Sequence, residues 1–415
     1  MKKTFLPVLL SLLLLVCFAP SVFASNTIER WEQKNDFPVS RLYPHVAVAN
    51  QTIYVIGGSS SGYTGFSNNV YAYNSSTDSW IEKAPMPTAR YGAAIAVVND
   101  LIYVIGGKDR NGYTAIVEVY NPKTDTWSSK AKLPATRTYT SGIAFNNKIY
   151  VIGGYNPSGS NSNTIYEYNT DTDSWIAKSN MPSARSGIGL AILNGKIYAI
   201  GGEEAGSSNS QTSKVEIYNP ETDTWESGTP YPESAIYIGA TELNGKIYGV
   251  GGGKPTGNIK INSVYEFDPA KNEWSKKLDM PTTRRSGVVS FNNAVYSIAG
   301  ETTTASNKVE VYYPGVSDES TDPTNPTDPT DPEQSKGNRA ILTITLTTGL
   351  EKEFDLSMDE VNSFISWYEN KNGGKGTASY AINKHSNNKG PFTSRKDYVI
   401  FDKILTFEVS EYTAK

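Results

Sequence analysis

Hydrophobic and polar positions along this chain recur in one fixed order. A run of small and β-branched residues, a two-residue polar turn, a second apolar run closed by a small-residue pair, a polar loop, a short alternating segment and an aromatic-led segment follow one another. The closing pairs are Gly57-Gly58, Gly106-Gly107, Gly153-Gly154, Gly201-Gly202, Gly251-Gly252 and the degenerate Ala299-Gly300, spaced 49, 47, 48, 50 and 48 residues apart. A period of this length marks an array of supersecondary units.

One unit shows the elements. After the polar turn Pro87 to Arg90, the run Gly92 to Val98 predicts a buried strand. Asn99-Asp100 then predicts a tight hairpin turn, as do Asn50-Gln51, Asn146-Asn147, Asn194-Gly195, Asn244-Gly245 and Asn292-Asn293, because these residues mostly tolerate positive φ. Leu101 to Gly107 is the second strand, Val117 to Tyr120 a third, and Trp127 begins a fourth. The aromatic pairs Tyr73/Trp80, Tyr120/Trp127, Tyr168/Trp175, Tyr218/Trp225 and Phe267/Trp274 keep one spacing of seven residues, which implies a fixed packing role.

The Gly-Gly after an apolar strand, the later Tyr and the Trp beyond it resemble the kelch repeat over Thr27 to Pro314. The resemblance implies four-stranded blades of a β-propeller. The sixth unit has Val309 to Tyr312 but no Trp seven residues on, while Trp31 stands alone 49 residues before Trp80. The expectation is an all-β six-bladed propeller in which the N-terminal strand around Trp31 completes the last blade, followed by a small α+β domain.

Composition adds boundaries. Lys2 and Lys3 precede the apolar run Val8 to Phe18, and Val22-Phe23-Ala24 offers a cleavage site, so 1–24 is expected to be an export signal and the protein secreted, either free or associated with a cell surface. Cys17 is the only cysteine, which leaves the mature chain without disulfides or thiolate chemistry. Removing Lys2 and Lys3 takes the 38 basic side chains to 36, against 42 acidic ones, a net charge of −6 with no long basic run. That argues against nucleic acid as a partner, and no later stretch is apolar enough to span a bilayer. The propeller is assigned to 25–316, a Pro/Thr/Asp-rich linker to 317–337 and the small domain to 338–415, with a hairpin over Ala340 to Leu356, a helix from the capping box Ser357 to Glu360 through Trp367, and strand over Asp397 to Val409. This tail resembles a module found on other secreted bacterial proteins, above all over Asn388 to Phe407.

Candidate chemistry gathers on one face. In an antiparallel meander the loops before first strands and those after the Gly pairs share one end of the blade. From the second small residue to the third-strand aromatic the spacing is 15, 13, 14, 16, 15 and 12, so the chain varies there. Arg41, Arg90, Arg137, Arg185 and Arg284 recur before first strands, with Ala235 in the fifth unit. Guanidinium groups suit carboxylates, so these five are candidate ligand contacts; the alternative is a scaffold role, each pairing with a neighbouring blade. Tyr43, Tyr91, Tyr139 and Tyr237 accompany them, with Tyr63, Tyr113 and Tyr155 in the variable loops, and such rings suit sugar faces.

Copper oxidases of the kelch type need histidine ligands and a Tyr–Cys link, which a mature chain holding only His45 and His385 and no Cys excludes. The Thr-Asp-Thr-Trp turns lack the glycine of a sialidase Asp-box. The expected function is therefore a monomeric module binding a glycan or a protein, without cofactor or metal. The alternative is an acid–base enzyme resembling the sialic-acid mutarotases, using Glu203, Glu204, Glu301 and Arg185.

Overall fold

Six four-stranded antiparallel sheets form a ring in the computed structural model, which describes residues 29–315 save 63, 205–209 and 255–257, and much of 338–413. The expected export signal, the linker and Tyr63 lie outside the described residues. Blades 1 to 5 span residues 45–83, 94–130, 141–178, 189–227 and 239–277; blade 6 spans 285–313 and takes its outer strand from Arg30–Gln33. The first strands touch one another around the axis and close from blade 6 back to blade 1. Among the described residues of the ring, the outer sheet edges are strands of only four or five residues.

Local chemistry explains each blade. In all six hairpins both turn residues have positive φ, from 47° at Asn50 to 76° at Gly195, the geometry that matches strand twist. The small-residue pairs also have positive φ, and at the second position close packing leaves no room for a side chain: a Cβ on Gly58 would lie 2.7 Å from the Leu42 carbonyl. The first strand of blade 2 is Ala94–Val98, two residues shorter than the pattern predicts, because Gly92 turns at φ 63° before it.

The aromatic pairs lock blade to blade. The rings of Tyr73/Trp80, Tyr120/Trp127, Tyr168/Trp175, Tyr218/Trp225, Phe267/Trp274 and Trp31/Tyr312 lie 4.8–5.3 Å apart. Each indole N–H also donates to a carbonyl of the preceding blade's exit: Trp31 to Leu278, Trp127 to Ala84, Trp175 to Ala131 and Trp225 to Ser179 at 2.9 Å, Trp274 to Thr229 at 3.1 Å and Trp80 to Asn35 at 3.4 Å. The lone Trp31 is thus the sixth member of the set.

A carboxylate completes the seam. Tyr120 donates to Asp125, which also accepts the Ala84 N–H of blade 1; Tyr168 and Asp173 repeat this with Ala131. These bonds, the tyrosine's first, hold both carboxyls below their ordinary value. Because the folded pKa values lie below the unfolded ones near about 3.9, the stabilisation is complete above that pH and is lost as pH falls through the folded values. Melting temperature should stay level down to about pH 4 and fall below it, and the Asp125→Asn/Asp173→Asn double variant should flatten that fall. An identical acid limb in the variant would refute it.

The C-terminal unit has sheets of its own. Asn338–Leu346 pairs antiparallel with Glu351–Ser357 and with Ile404–Thr413, and Ser379–Lys384 pairs with Arg395–Ile400. Helical residues between 360 and 368 bury Phe364 and Trp367 against Leu342, Phe354 and Ile382. Met358 and Asp359 of the capping box, and Asn388 to Ser394, lie outside the described residues.

Candidate functional site

The face built from the loops before first strands and after the glycine pairs forms as the spacing predicts. Short bridges join the two loops in every blade: Leu42 to Ser59, Tyr91 to Lys108, Thr138 to Tyr155, Ser186 to Glu203, Ile236 to Gly253 and Arg285 to Glu301. The residue following each pair is therefore Ser59, Lys108, Tyr155, Glu203, Gly253 or Glu301, five kinds of side chain at one structural position.

The five recurrent arginines do not reach this face, which corrects their assignment as ligand contacts. Arg90, Arg185 and Arg284 are fully buried, and Arg41 and Arg137 nearly so. Arg90 pairs with Glu118 at 2.5 Å, Arg185 with Glu216 at 2.6 Å and Arg284 with Glu310 at 2.5 Å, each within its own blade and not with a neighbour. Arg137 donates to the Gly153 carbonyl and to Thr164 Oγ1 and lies 5.1 Å over the ring of Tyr166, while Arg41 donates to Asn69 Oδ1. The partner position on the third strand reads Tyr71, Glu118, Tyr166, Glu216, Tyr265, Glu310. In blade 5, where Ala235 stands for the arginine, the buried Tyr231 packs at 5.2 Å on Tyr265. Arginine, glutamate and tyrosine thus alternate as interior fillers, and Arg185 cannot orient a substrate.

Tyrosines do reach the axis. Tyr43, Tyr139 and Tyr237 come from blades 1, 3 and 5 and sit at φ 50°, 50° and 53°, a strained region for a bulky side chain. Their rings meet pairwise at 5.5, 5.8 and 5.4 Å across the mouth of the channel. Blades 2 and 4 carry Gly92 and Gly187 there instead; a Cβ on Gly187 would lie 2.9 Å from the Tyr237 ring. Tyr91 is buried beneath this layer, between Tyr43 and Phe66, and so is a floor residue rather than a direct contact.

Two spaces flank the tyrosine layer. Outside it, Lys108, Tyr113, Tyr139, Tyr155, Ser186, Glu203 and Tyr237 line a cleft of about 360 Å³ with Tyr91 at its base. Inside it, Thr140, Ser141, Arg285 and Ser286 help line an axial cavity of about 180 Å³. Lys108 Nζ lies 5.7 Å over the Tyr113 ring, whose edge meets Tyr155 at 6.4 Å. Burial raises the Glu203 carboxyl above its ordinary value, and Arg285 opposes that rise.

Of the three candidate acid–base glutamates, only Glu203 lines the cleft. Glu204 pairs with Lys214 at 2.7 Å, and Glu301 is held by Lys260 at 2.9 Å and Arg285 at 3.1 Å. Lys108 and Arg285 escape a reading based on repetition because each occurs once. Their signal is position, directly beyond a glycine pair for Lys108 and at a break in unit length for Arg285: three residues separate Arg284 from Gly287, against four from Ala235 to Gly239.

The fold agrees with known proteins. A solved structure titled "Structure of YjhT" superposes with a TM-score of 0.56 at 20% identity, covering 67% of this chain and 96% of that one, a likeness of fold alone. An uncharacterised protein of Clostridium acetobutylicum is 37% identical over 75 residues, 18% of this chain and 19% of that protein's length. The kelch motif matches residues 236–281, and the Attractin/LZTR1 beta-propeller matches residues 21–240, more than half of the chain. With six blades closed by the N-terminal strand, this chain belongs to the Attractin/LZTR1 β-propeller family and carries kelch repeats.

Proposed function

We propose that the propeller is a glycan-binding module whose ligand lies in the outer cleft, and that the chain acts as a secreted monomer. The kelch propeller fold supports a binding role in general. The observation that carries the glycan is the composition of the cleft: Tyr113, Tyr139, Tyr155 and Tyr237 surround Lys108, Ser186 and Glu203 in a volume suited to a small ligand. Aromatic faces cover the C–H faces of a sugar, while a hydroxyl, an ammonium and a carboxylate can exchange hydrogen bonds with its hydroxyls.

Tyr113→Ala and Tyr155→Ala should each weaken the best binder on a glycan array by about tenfold, about 1.4 kcal/mol, without changing the melting temperature. Calorimetric titration checks this, and unchanged affinity in both variants would overturn it. The half-buried Glu203, with its raised pKa, favours one second reading: acid–base exchange of sugar anomers of the sialic-acid mutarotase type. Exchange NMR with sialic acid decides it, since that reading requires acceleration by the native chain and its loss in Glu203→Gln.

A further inference from the structure

Arg285 is the arginine that the repeat does not explain. It opens the first strand of blade 6, is 8% exposed, and lines the axial cavity together with Ser286, Thr140 and Ser141. Its guanidinium lies 5.4 Å over the Tyr237 ring, and Nη1 donates to Glu301 at 3.1 Å. Its Nε is buried and makes no hydrogen bond, as in Arg90, Arg137, Arg185 and Arg284, so what sets Arg285 apart is the cavity it lines. Room for the group comes from Gly253, the third glycine of a run found only in blade 5: a Cβ there would lie within 2.4 Å of Nε and 2.9 Å of Nη2.

Among the described residues, the one carboxylate in direct contact with Arg285 is shared. Glu301 is shared between Arg285 and Lys260, whose side chain is only 5% exposed, so one carboxylate faces two buried cations. Glu203 is the other carboxyl that senses Arg285, and it lines the outer cleft. A buried cation that shares its carboxylate is incompletely compensated, and a guanidinium lining a cavity suits a carboxylate.

We infer that Arg285 forms a carboxylate-binding subsite in the axial cavity beside the cleft, so that the ligand is an acidic saccharide. This deepens the reading of the cleft as a glycan site and rests on it. The carboxylate accepts from the part of the guanidinium that lines the cavity, the Tyr237 ring backs the guanidinium, and the sugar ring lies toward the tyrosine layer.

Paired probes test it by titration calorimetry on the full chain: galacturonic acid against galactose, and glucuronic acid against glucose, at low salt. The acids should bind at least tenfold more tightly than their neutral parents, and added salt should narrow the gap. Arg285→Gln should abolish the preference, so that each acid binds no more tightly than its neutral parent. Glu301→Gln, which frees Arg285 from its internal partner, should preserve or widen it. Equal binding of acid and parent, or a preference that survives Arg285→Gln, overturns the subsite and leaves the glycan reading intact. If no sugar binds, the glycan reading falls instead, and acetate titration followed at the Arg285 Nε–H NMR signal judges the subsite separately: a saturable shift supports it, and an unmoved signal removes it.

Discussion

Deleting residues up to Asn35 should lower the melting temperature of the propeller by about 6–20 °C, because this short segment holds the ring shut. Arg30–Gln33 pairs residue for residue with Tyr313 back to Glu310, and beyond the strand Lys34 and Phe37 donate to the Val309 and Asn307 carbonyls. Trp31 packs at 5.3 Å on Tyr312 and donates to Leu278 of blade 5, while the Asn35 N–H reaches Asp78 of blade 1. The deletion thus loosens three blades and exposes a strand edge. Loss of about 3–5 kcal/mol is the scale expected when a half-buried aromatic, its hydrogen bonds and the strand pairing go together, at about 2–4 °C per kcal/mol for a large domain. Trp31→Ala alone should cost less, about 2 kcal/mol, since the indole is half-buried. Calorimetric scans of both variants check the order; a deletion that melts with the native chain would mean that the ring closes without this strand.

The same segment shows what a sequence of this kind makes legible. Six small-residue pairs and five aromatic/Trp pairs are a direct record of backbone geometry and packing, since each copy solves the same steric problem. An unpaired Trp31 at the right interval then points to its blade. The candidate site obeys the opposite logic. Arg90, Arg185 and Arg284 attract notice through repetition, yet repetition at equivalent positions signals a scaffold task, and they fill blade interiors. Lys108, Glu203, Gly253 and Arg285 occupy equivalent or adjacent positions without resembling one another, so periodicity does not reveal them. Only pairing across the loops brings them to one face.

The tyrosine layer adds a second, coarser period. Tyr43, Tyr139 and Tyr237 share backbone strain and come from alternate blades, while Gly92 and Gly187 clear space for them in blades 2 and 4. The interior pairs alternate likewise, with Arg–Glu in blades 2, 4 and 6 and tyrosine on the third strand in blades 1, 3 and 5. The ring is therefore built as three two-blade units at its core. Blade 6 breaks that order at the channel mouth, and there Arg285 enters.

The Arg185–Glu216 pair separates scaffold from ligand contact most sharply. Arg185 is fully buried and donates to Glu216 at 2.6 Å and to the Gly201 carbonyl at 2.5 Å. Glu216 also accepts from Ser183 at 2.8 Å, so the pair ties the loop before the first strand to the third strand. Removing one partner strands a buried charge, and Arg185→Ala should cost about 3–5 kcal/mol in denaturant unfolding. Replacing both ends by apolar groups of similar volume, Arg185→Met with Glu216→Leu, should recover most of that loss, because neither charge is then left alone. Glycan affinity of the folded double variant should match the native chain, since neither side chain lines the cleft or the axial cavity. An Arg185→Ala protein of native stability that had lost its ligand would return this arginine to the binding surface.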